Sequence, residues 1–268
     1  SIFTNTRTCF GAAQDMLAKM KEIASGDLGG NPEDYDISNE RVHQIADESV
    51  GMSFGQVASR ALELGGKYTG SSDLPEELAE WTQISISRLA GTAFMGVFHD
   101  PRHEGNPPGF TVSCVEIELD TETGKYEILD LINVADSGTI MHPKGMENQL
   151  VGGAVWGIGL SGYERHLYDP QNGMPASTGY WQSKIPTFLD TPVKIQTGWT
   201  DLPDPENPVG ARGVGEPAQG SVSAALTAAI SDALGGHIFG ASPITADMII
   251  NHVAGTSEDS VPLAQNNF

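Results

Sequence analysis

From Phe110 to Asp120 apolar and polar side chains alternate without a break (Phe110-Thr111-Val112-Ser113-Cys114-Val115-Glu116-Ile117-Glu118-Leu119-Asp120), and the alternation resumes over residues 126–134 after Thr121-Glu122-Thr123-Gly124. A period of two describes strands with one face buried, and two such runs joined by a short glycine-containing turn describe an antiparallel hairpin. A hairpin cannot bury its own apolar face, so something must cover it. The rest of the chain offers helices. Residues 5–25 carry Cys9, Ala12, Ala13, Met16, Leu17, Met20 and Ile23 at helical spacing with Gly26 as a stop, and residues 53–64 repeat the pattern between a capping Ser53 and Gly65-Gly66. Further helices are expected over 148–162, from about Ser221 to Leu234, and over 245–253. The fold class is therefore α+β, with hairpin-containing mixed sheets packed against helices. Residues 27–39 read as a loop, 37–50 as a short strand-turn segment, and 163–210 as long Pro-punctuated loops.

With 268 residues the chain is long enough for one large domain or two smaller ones. Its 35 acidic side chains against 14 basic ones give a net charge of −21, which argues against nucleic acid as a partner because phosphate binding uses clustered Lys and Arg. Cys9 and Cys114 lie too far apart in sequence to suggest a disulfide framework or a Cys-x-x-Cys metal site, and a reducing compartment, the cytoplasm, is expected. No apolar run is long enough to span a bilayer, and the first residues lack a basic region followed by an apolar one. The histidines His99, His103, His142, His166, His237 and His252 show no helical i, i+4 pairing, and none is assigned to a metal.

The segment with chemical content is Gly210-Ala211-Arg212-Gly213-Val214-Gly215-Glu216-Pro217-Ala218-Gln219-Gly220. Its glycines let a backbone approach a ligand closely, and the helix expected from Ser221 would direct unpaired amides and a positive dipole end toward the turn. Spacing alone leaves two readings open, an acid that only complements the helix dipole or a catalytic carboxylate. The helix over 148–162 is rich in small residues, with Gly152, Gly153, Ala154, Gly157 and Gly159 permitting close approach by a second backbone or a ligand.

Gly-Val-Gly-Glu-Pro after Gly-Ala-Arg resembles the signature of the xanthine oxidase family of molybdenum hydroxylases, near the end of their molybdopterin-binding subunit. Other blocks follow in the same order: Ile128-Leu129-Asp130, Val134-Ala135-Asp136-Ser137-Gly138, His142-Pro143, and Gln149 through Gly159. Thr6-Arg7-Thr8 with Gly11-Ala12 is similar to the family's Ser-Arg-Thr block. The similarity is strongest over 110–255 and weak over 27–109. It implies that residues 1–268 form the C-terminal molybdopterin-binding region of a split molybdenum subunit, folded like the family's second molybdopterin-binding region.

The resemblance assigns Glu216 the role of general base in a hydroxylation that inserts a water-derived oxygen at an electron-poor carbon of an N-heterocycle, purine or aldehyde. A dry pocket would suit that role by raising the carboxylate's proton affinity. The metal is carried by the pterin dithiolene, so the protein supplies no metal ligand. Gln149 matches a family Gln near the metal centre, although a polar residue at a helix start is an equally ordinary reading. Gly213, Val214, Gly215, Gln219, Gly220, Ser221 and Ser223 are expected to hold the pterin and its phosphate, present as molybdopterin or a dinucleotide form. Thr6, Arg7 and Thr8 form a second candidate cradle, with N-capping as the alternative. Iron–sulfur clusters and FAD are expected on partner chains, together with a chain carrying the other half of the molybdenum subunit. Two competing readings are a non-catalytic scaffold or assembly chain and a metal-independent hydrolase, and no Gly-x-Ser-x-Gly elbow supports the latter.

Overall fold

The computed structural model describes residues 2–72, 78–98, 109–169 and 171–256. It divides into two compact units, Ser1–Asn106 and Pro107–Phe268.

The first unit begins with α1 (Ile2–Leu28), which runs past the expected stop at Gly26. Gly26 meets nothing that would block it, and the helix ends where Gly29, at φ +91°, supplies the left-handed residue that closes a helix and donates to the Ser25 carbonyl. Only part of the expected apolar face is used: Met20, Ile23 and Ala24 are buried, while Cys9 and Phe10 stay exposed. Three short strands follow, β1 (Tyr35–Ser38), β2 (Arg41–Gln44) and β3 (Gly51–Ser53), forming an antiparallel sheet in that order. Part of the expected 27–39 loop is therefore strand. Asn39 and Glu40 both take positive φ, which lets a two-residue turn join β1 to β2 without the Asn-Gly pair that usually announces one. The helix α2 (Phe54–Leu64) has the expected Ser53 cap, reinforced by Gln56 Oε1, which accepts from the Ser53 amide. Met20, Ile23, Ala24, Tyr35, Val42, Val57 and Ala61 form this unit's core. A further helix, α3 (Glu80–Leu89), has no counterpart in the sequence reading and buries none of its residues.

In the second unit, β4 (Phe110–Asp120) and β5 (Lys125–Asp136) form the expected hairpin, from Phe110 opposite Asp136 to Asp120 opposite Lys125, with an irregularity between Glu116 and Ile117. Next comes α4 (Pro143–Gly162), which starts before the expected 148 because Pro143 occupies its first position and His142 Nδ1 accepts from the Gly145 amide. The single turn α5 (Tyr180–Ser183) and β6 (Ile195–Trp199) interrupt the expected 163–210 loops, and β6 adds parallel to β5. Two helices complete the unit, α6 (Gly215–Ala233) and α7 (Ala246–Val253).

One face of this mixed sheet is covered by helices. Ile128, Leu131, Ala154, Ile158, Val222, Leu226, Ile230, Phe239, Ile244 and Ile249 form one buried cluster. Val222, Leu226 and Ile230 recur every four residues of α6, so a single helix stripe enters the core, each such side chain contributing roughly 1.5–3 kcal/mol. The opposite face of β4 presents Phe110, Val112, Cys114, Glu116, Glu118 and Asp120 outward. Among the described residues no helix is long and apolar enough to cross a membrane.

Candidate functional site

The close pairing of α4 with α6 builds the site's floor. On α4, Gln149, Gly153, Gly157 and Ser161 follow one another at intervals of four and so line one side of the helix. A side-chain carbon at Gly153 would lie 2.6 Å from Ala218 Cβ and 3.0 Å from the Gly215 carbonyl, and one at Gly157 2.7 Å from Val222 Cβ and 2.8 Å from the Gln219 carbonyl. These two glycines are therefore filled by α6. Gly159 serves a different contact, against Glu164 and Pro186, while Gly152 faces open space. At the far end of the stripe, Ser161 Oγ donates to Ser223 Oγ at 2.8 Å.

Contrary to expectation, α6 begins at Gly215 and not near Ser221. Pro217 falls in its first turn, where an amide would lack a helical partner anyway and proline's fixed φ suits the helix. Glu216 consequently stands on the helix itself. Gln219, Gly220, Ser221 and Ser223 lie beyond the first four residues, so their amides belong to the helical ladder and cannot form the expected phosphate cradle. The free amides at this end come from residues 214–216. The Ser221 hydroxyl hydrogen-bonds Ser113 Oγ at 2.8 Å, and Ser223 receives Ser161. Likewise, Thr6, Arg7 and Thr8 lie inside α1, where Thr6 donates to the Ile2 carbonyl at 2.7 Å and the Arg7 guanidinium lies 5.5 Å over the Phe3 ring. No exposed helix start exists at those three residues.

The structure does bring Gln149 to the Glu216 turn. A side-chain carbon on Gly215 would stand 2.8 Å from Gln149 Oε1, while Gly213 and Gly220, on either side of Glu216, meet nothing within 4 Å. Glu216 and Gln149 are both exposed, so the dry pocket expected around the carboxylate is not formed by the described residues of this chain. Val214 packs against Ala135, Met146, Leu150 and Ala218, pinning the turn to the core.

A polar frame that the sequence reading missed holds the approach to this turn. Arg212 Nη1 pairs with Asp136 Oδ2 at 3.0 Å, and its Nε pairs with Asp204 Oδ2. The hydrogen bond to Asp204 leads the effects that raise the guanidinium's affinity for its proton. Asp204 is only 5% exposed, so its carboxylate depends on Arg212 for compensation of its charge. Backbone bonds run beside these pairs: the Arg212 amide donates to the Ser137 carbonyl, and those of Thr139 and Asp204 donate to the Gly210 carbonyl. Gly210 takes φ +72°, and a side chain there would strike Thr139 Oγ1. Asn207 Oδ1 accepts from the Val209 and Ala211 amides. On the sheet, Ser113 donates to fully buried Asn133, whose amide donates to the Leu150 carbonyl, joining β4, β5 and α4. The alternating pattern at Asn133, which puts a polar residue on a buried face, was the available signal.

His142 is the helix cap already described, and His237 stacks on His252 with ring centroids 3.7 Å apart. His99 and His103 lie outside the described residues. Among the described residues no three His, Cys, Asp or Glu side chains gather closely enough to hold a metal ion. The open sides of Gly213 and Gly220 leave room for a cofactor's approach beside Glu216.

A family model described as the molybdopterin cofactor-binding domain matches residues 1–192. The chain belongs to this family. The matched span ends before the Glu216 turn. Among its relatives, the gamma subunit of the 6-hydroxypseudooxynicotine dehydrogenase complex of Paenarthrobacter nicotinovorans is 31% identical over 150 residues, 56% of this chain and 19% of the relative. The putative xanthine dehydrogenase molybdenum-binding subunit of Escherichia coli strain K12 is 31% identical over 171 residues, 59% of this chain and 22% of the relative. Quinoline 2-oxidoreductase of Pseudomonas putida 86 superposes with a TM-score of 0.63 at 26% identity, covering 91% of this molybdopterin-binding chain and 29% of the solved one. The chain therefore spans about a fifth of the curated relatives' length, and its relatives are molybdenum-dependent oxidoreductases, in agreement with the resemblance to the xanthine oxidase family.

Proposed function

We propose that this chain is the C-terminal molybdopterin-binding region of a split molybdenum subunit in a hydroxylase that adds a water-derived oxygen to an electron-poor carbon of an N-heterocycle, purine or aldehyde. The observation that carries the reading is the meeting of Gln149 with Gly215, next to Glu216, in a member of the molybdopterin-binding family. Relatives named for a nicotine-derived heterocycle and for xanthine support that substrate class.

When bound, the molybdenum cofactor supplies the oxygen-transfer and electron-accepting chemistry. The Glu216 carboxylate accepts the proton released as water-derived oxygen becomes nucleophilic. Gln149 Oε1 and Nε2 provide an acceptor and a donor at the cofactor's edge, and Gly213, Val214 and Gly215 offer backbone approach. The sides of Gln219 and Gly220, with the Ser221 and Ser223 positions behind them, form the adjoining helix surface. Iron–sulfur and FAD partner chains would supply the electron exit.

The remainder of the molybdenum subunit closes the pocket and excludes water from Glu216. This is supported by the chain's small share of its relatives' length and by an apolar groove of about 540 Å³ lined by Val151, Val155, Pro186, Phe188, Pro192 and Val193, where Phe188 is 99% exposed.

The exposure of Glu216 favours one alternative, a chain that keeps the fold as a scaffold without catalysing. Glu216→Gln in the assembled complex separates the two. The base reading expects turnover to fall by at least about a hundredfold with molybdenum content unchanged, whereas the scaffold reading expects turnover to stay.

A further inference from the structure

We propose that Arg212 is a positioning residue, whose guanidinium, clamped between Asp136 at the end of β5 and Asp204 in the preceding loop, fixes where the first turn of α6 carries Glu216. The inference rests on the reading of Glu216 as the base.

Three observations carry it. Arg212 spans two chain segments, contacting Asp136 Oδ2 at 3.0 Å and Asp204 Oδ2, and both acids are anchored in turn. Asp136 Oδ1 accepts from the Gly138 amide and the Thr200 hydroxyl, and Asp204 Oδ1 from the Glu206 amide. Second, the Arg212 amide donates to the Ser137 carbonyl at 2.7 Å, so backbone and side chain hold this residue to the same edge of the sheet. Third, the next residue is Gly213, which meets nothing within 4 Å, and Gly215 follows two residues later. A segment with two glycines in three positions transmits position poorly unless its ends are fixed. Val214 supplies an apolar anchor inside the segment, and Arg212 the polar anchor before it.

A planar guanidinium can bind two carboxylates through different nitrogens at once, which a lysine ammonium at the same place cannot do with the same geometry. Loss of one pair would let residues 212–216 swing on Gly213 while Val222, Leu226 and Ile230 keep the rest of α6 in the core. A displacement of about an ångström at a proton-transferring group is enough to cost rate.

The experiment compares wild type, Arg212→Lys and Arg212→Gln in the assembled, cofactor-loaded protein by amide hydrogen exchange, molybdenum content and steady-state kinetics. Exchange at the hydrogen-bonded amides of residues 212 and 218 should accelerate by about tenfold in Arg212→Gln, while residues 223–233 change less than about twofold. In the same variant kcat should fall by about tenfold with KM changed less than about threefold and molybdenum retained, and Arg212→Lys should lie between. Equal acceleration along all of α6, or none at residues 212 and 218, overturns the proposal. If Arg212→Gln fails to assemble, Asp136→Asn keeps the Oδ1 acceptor, removes one ion pair, and is held to the same two outcomes. A separate Glu216→Gln variant distinguishes the failures: retained turnover there removes the base, whereas an unmoved first turn in the Arg212 variants removes the clamp.

Discussion

Gly153 and Gly157 in the middle of α4 are occupied by α6 backbone and side-chain atoms at 2.6–3.0 Å, whereas Gly213 and Gly220, flanking Glu216, face open space. Gly213 lies in the turn before α6 and Gly220 on α6 itself, yet only the first set is explained by the fold. The contrast separates glycines that serve packing from glycines that the described residues leave open. It also shows what an exposed Glu216 means physically: the carboxylate stands on a packed helix pair, and no described residue of this chain buries it.

The largest effect that sharpens the contrast is expected at Gly157. Gly157→Val would drive a side chain into Val222 Cβ and the Gln219 carbonyl, and should lower unfolding free energy by about 3 kcal/mol, measured by denaturant titration. An effect below about 1 kcal/mol would break the claim that this stripe is filled. Asn133→Ala should follow, at about 2 kcal/mol, because the Leu150 carbonyl loses its donor in a buried setting.

At Gly220 the sign reverses. Alanine in an open helix position should raise stability by about 0.5–1 kcal/mol while lowering molybdenum retention, since the added methyl would occupy the side proposed for the cofactor. Equal retention would remove Gly220 from the binding surface. The smallest effect belongs to the hairpin tip, away from both sets. The Thr123 hydroxyl and the Glu122 amide hold the Asp120 carboxyl below its ordinary value. A depressed carboxyl stabilises the fold above its unfolded pKa, and that contribution fades as pH falls through the lowered value. Asp120→Asn should therefore shift the denaturation midpoint slightly near neutrality and converge with wild type in acid.

Much of the second unit was legible because its periodicities are clean. The β4–β5 alternation, the small residues of α4 and the Thr245 start of α7 each announce one structure. The first turn of α6 was misread because Gly213, Gly215 and Pro217 together resemble a loop, although Pro217 is well suited to a helix's first turn. That error moved the amide donors from residues 214–216 to Gln219–Ser221. In the first unit, β1 and β2 were obscured by a turn whose positive-φ residues are Asn39 and Glu40, and α3 by an absence of buried side chains. Gln149 reached the site because the family resemblance named it, and its place beside Gly215 follows from the four-residue stripe. Arg212, Asp136 and Asp204 were invisible because an ion-pair frame assembled from residues 136, 204 and 212 leaves no periodic trace.

The most direct measurement is a structure of the assembled complex with its cofactor bound. The Glu216 carboxylate should be shielded from bulk water and within hydrogen-bonding reach of the reacting centre, with Gln149 beside it. A Glu216 side chain still directed into solvent and remote from the pterin would contradict the account.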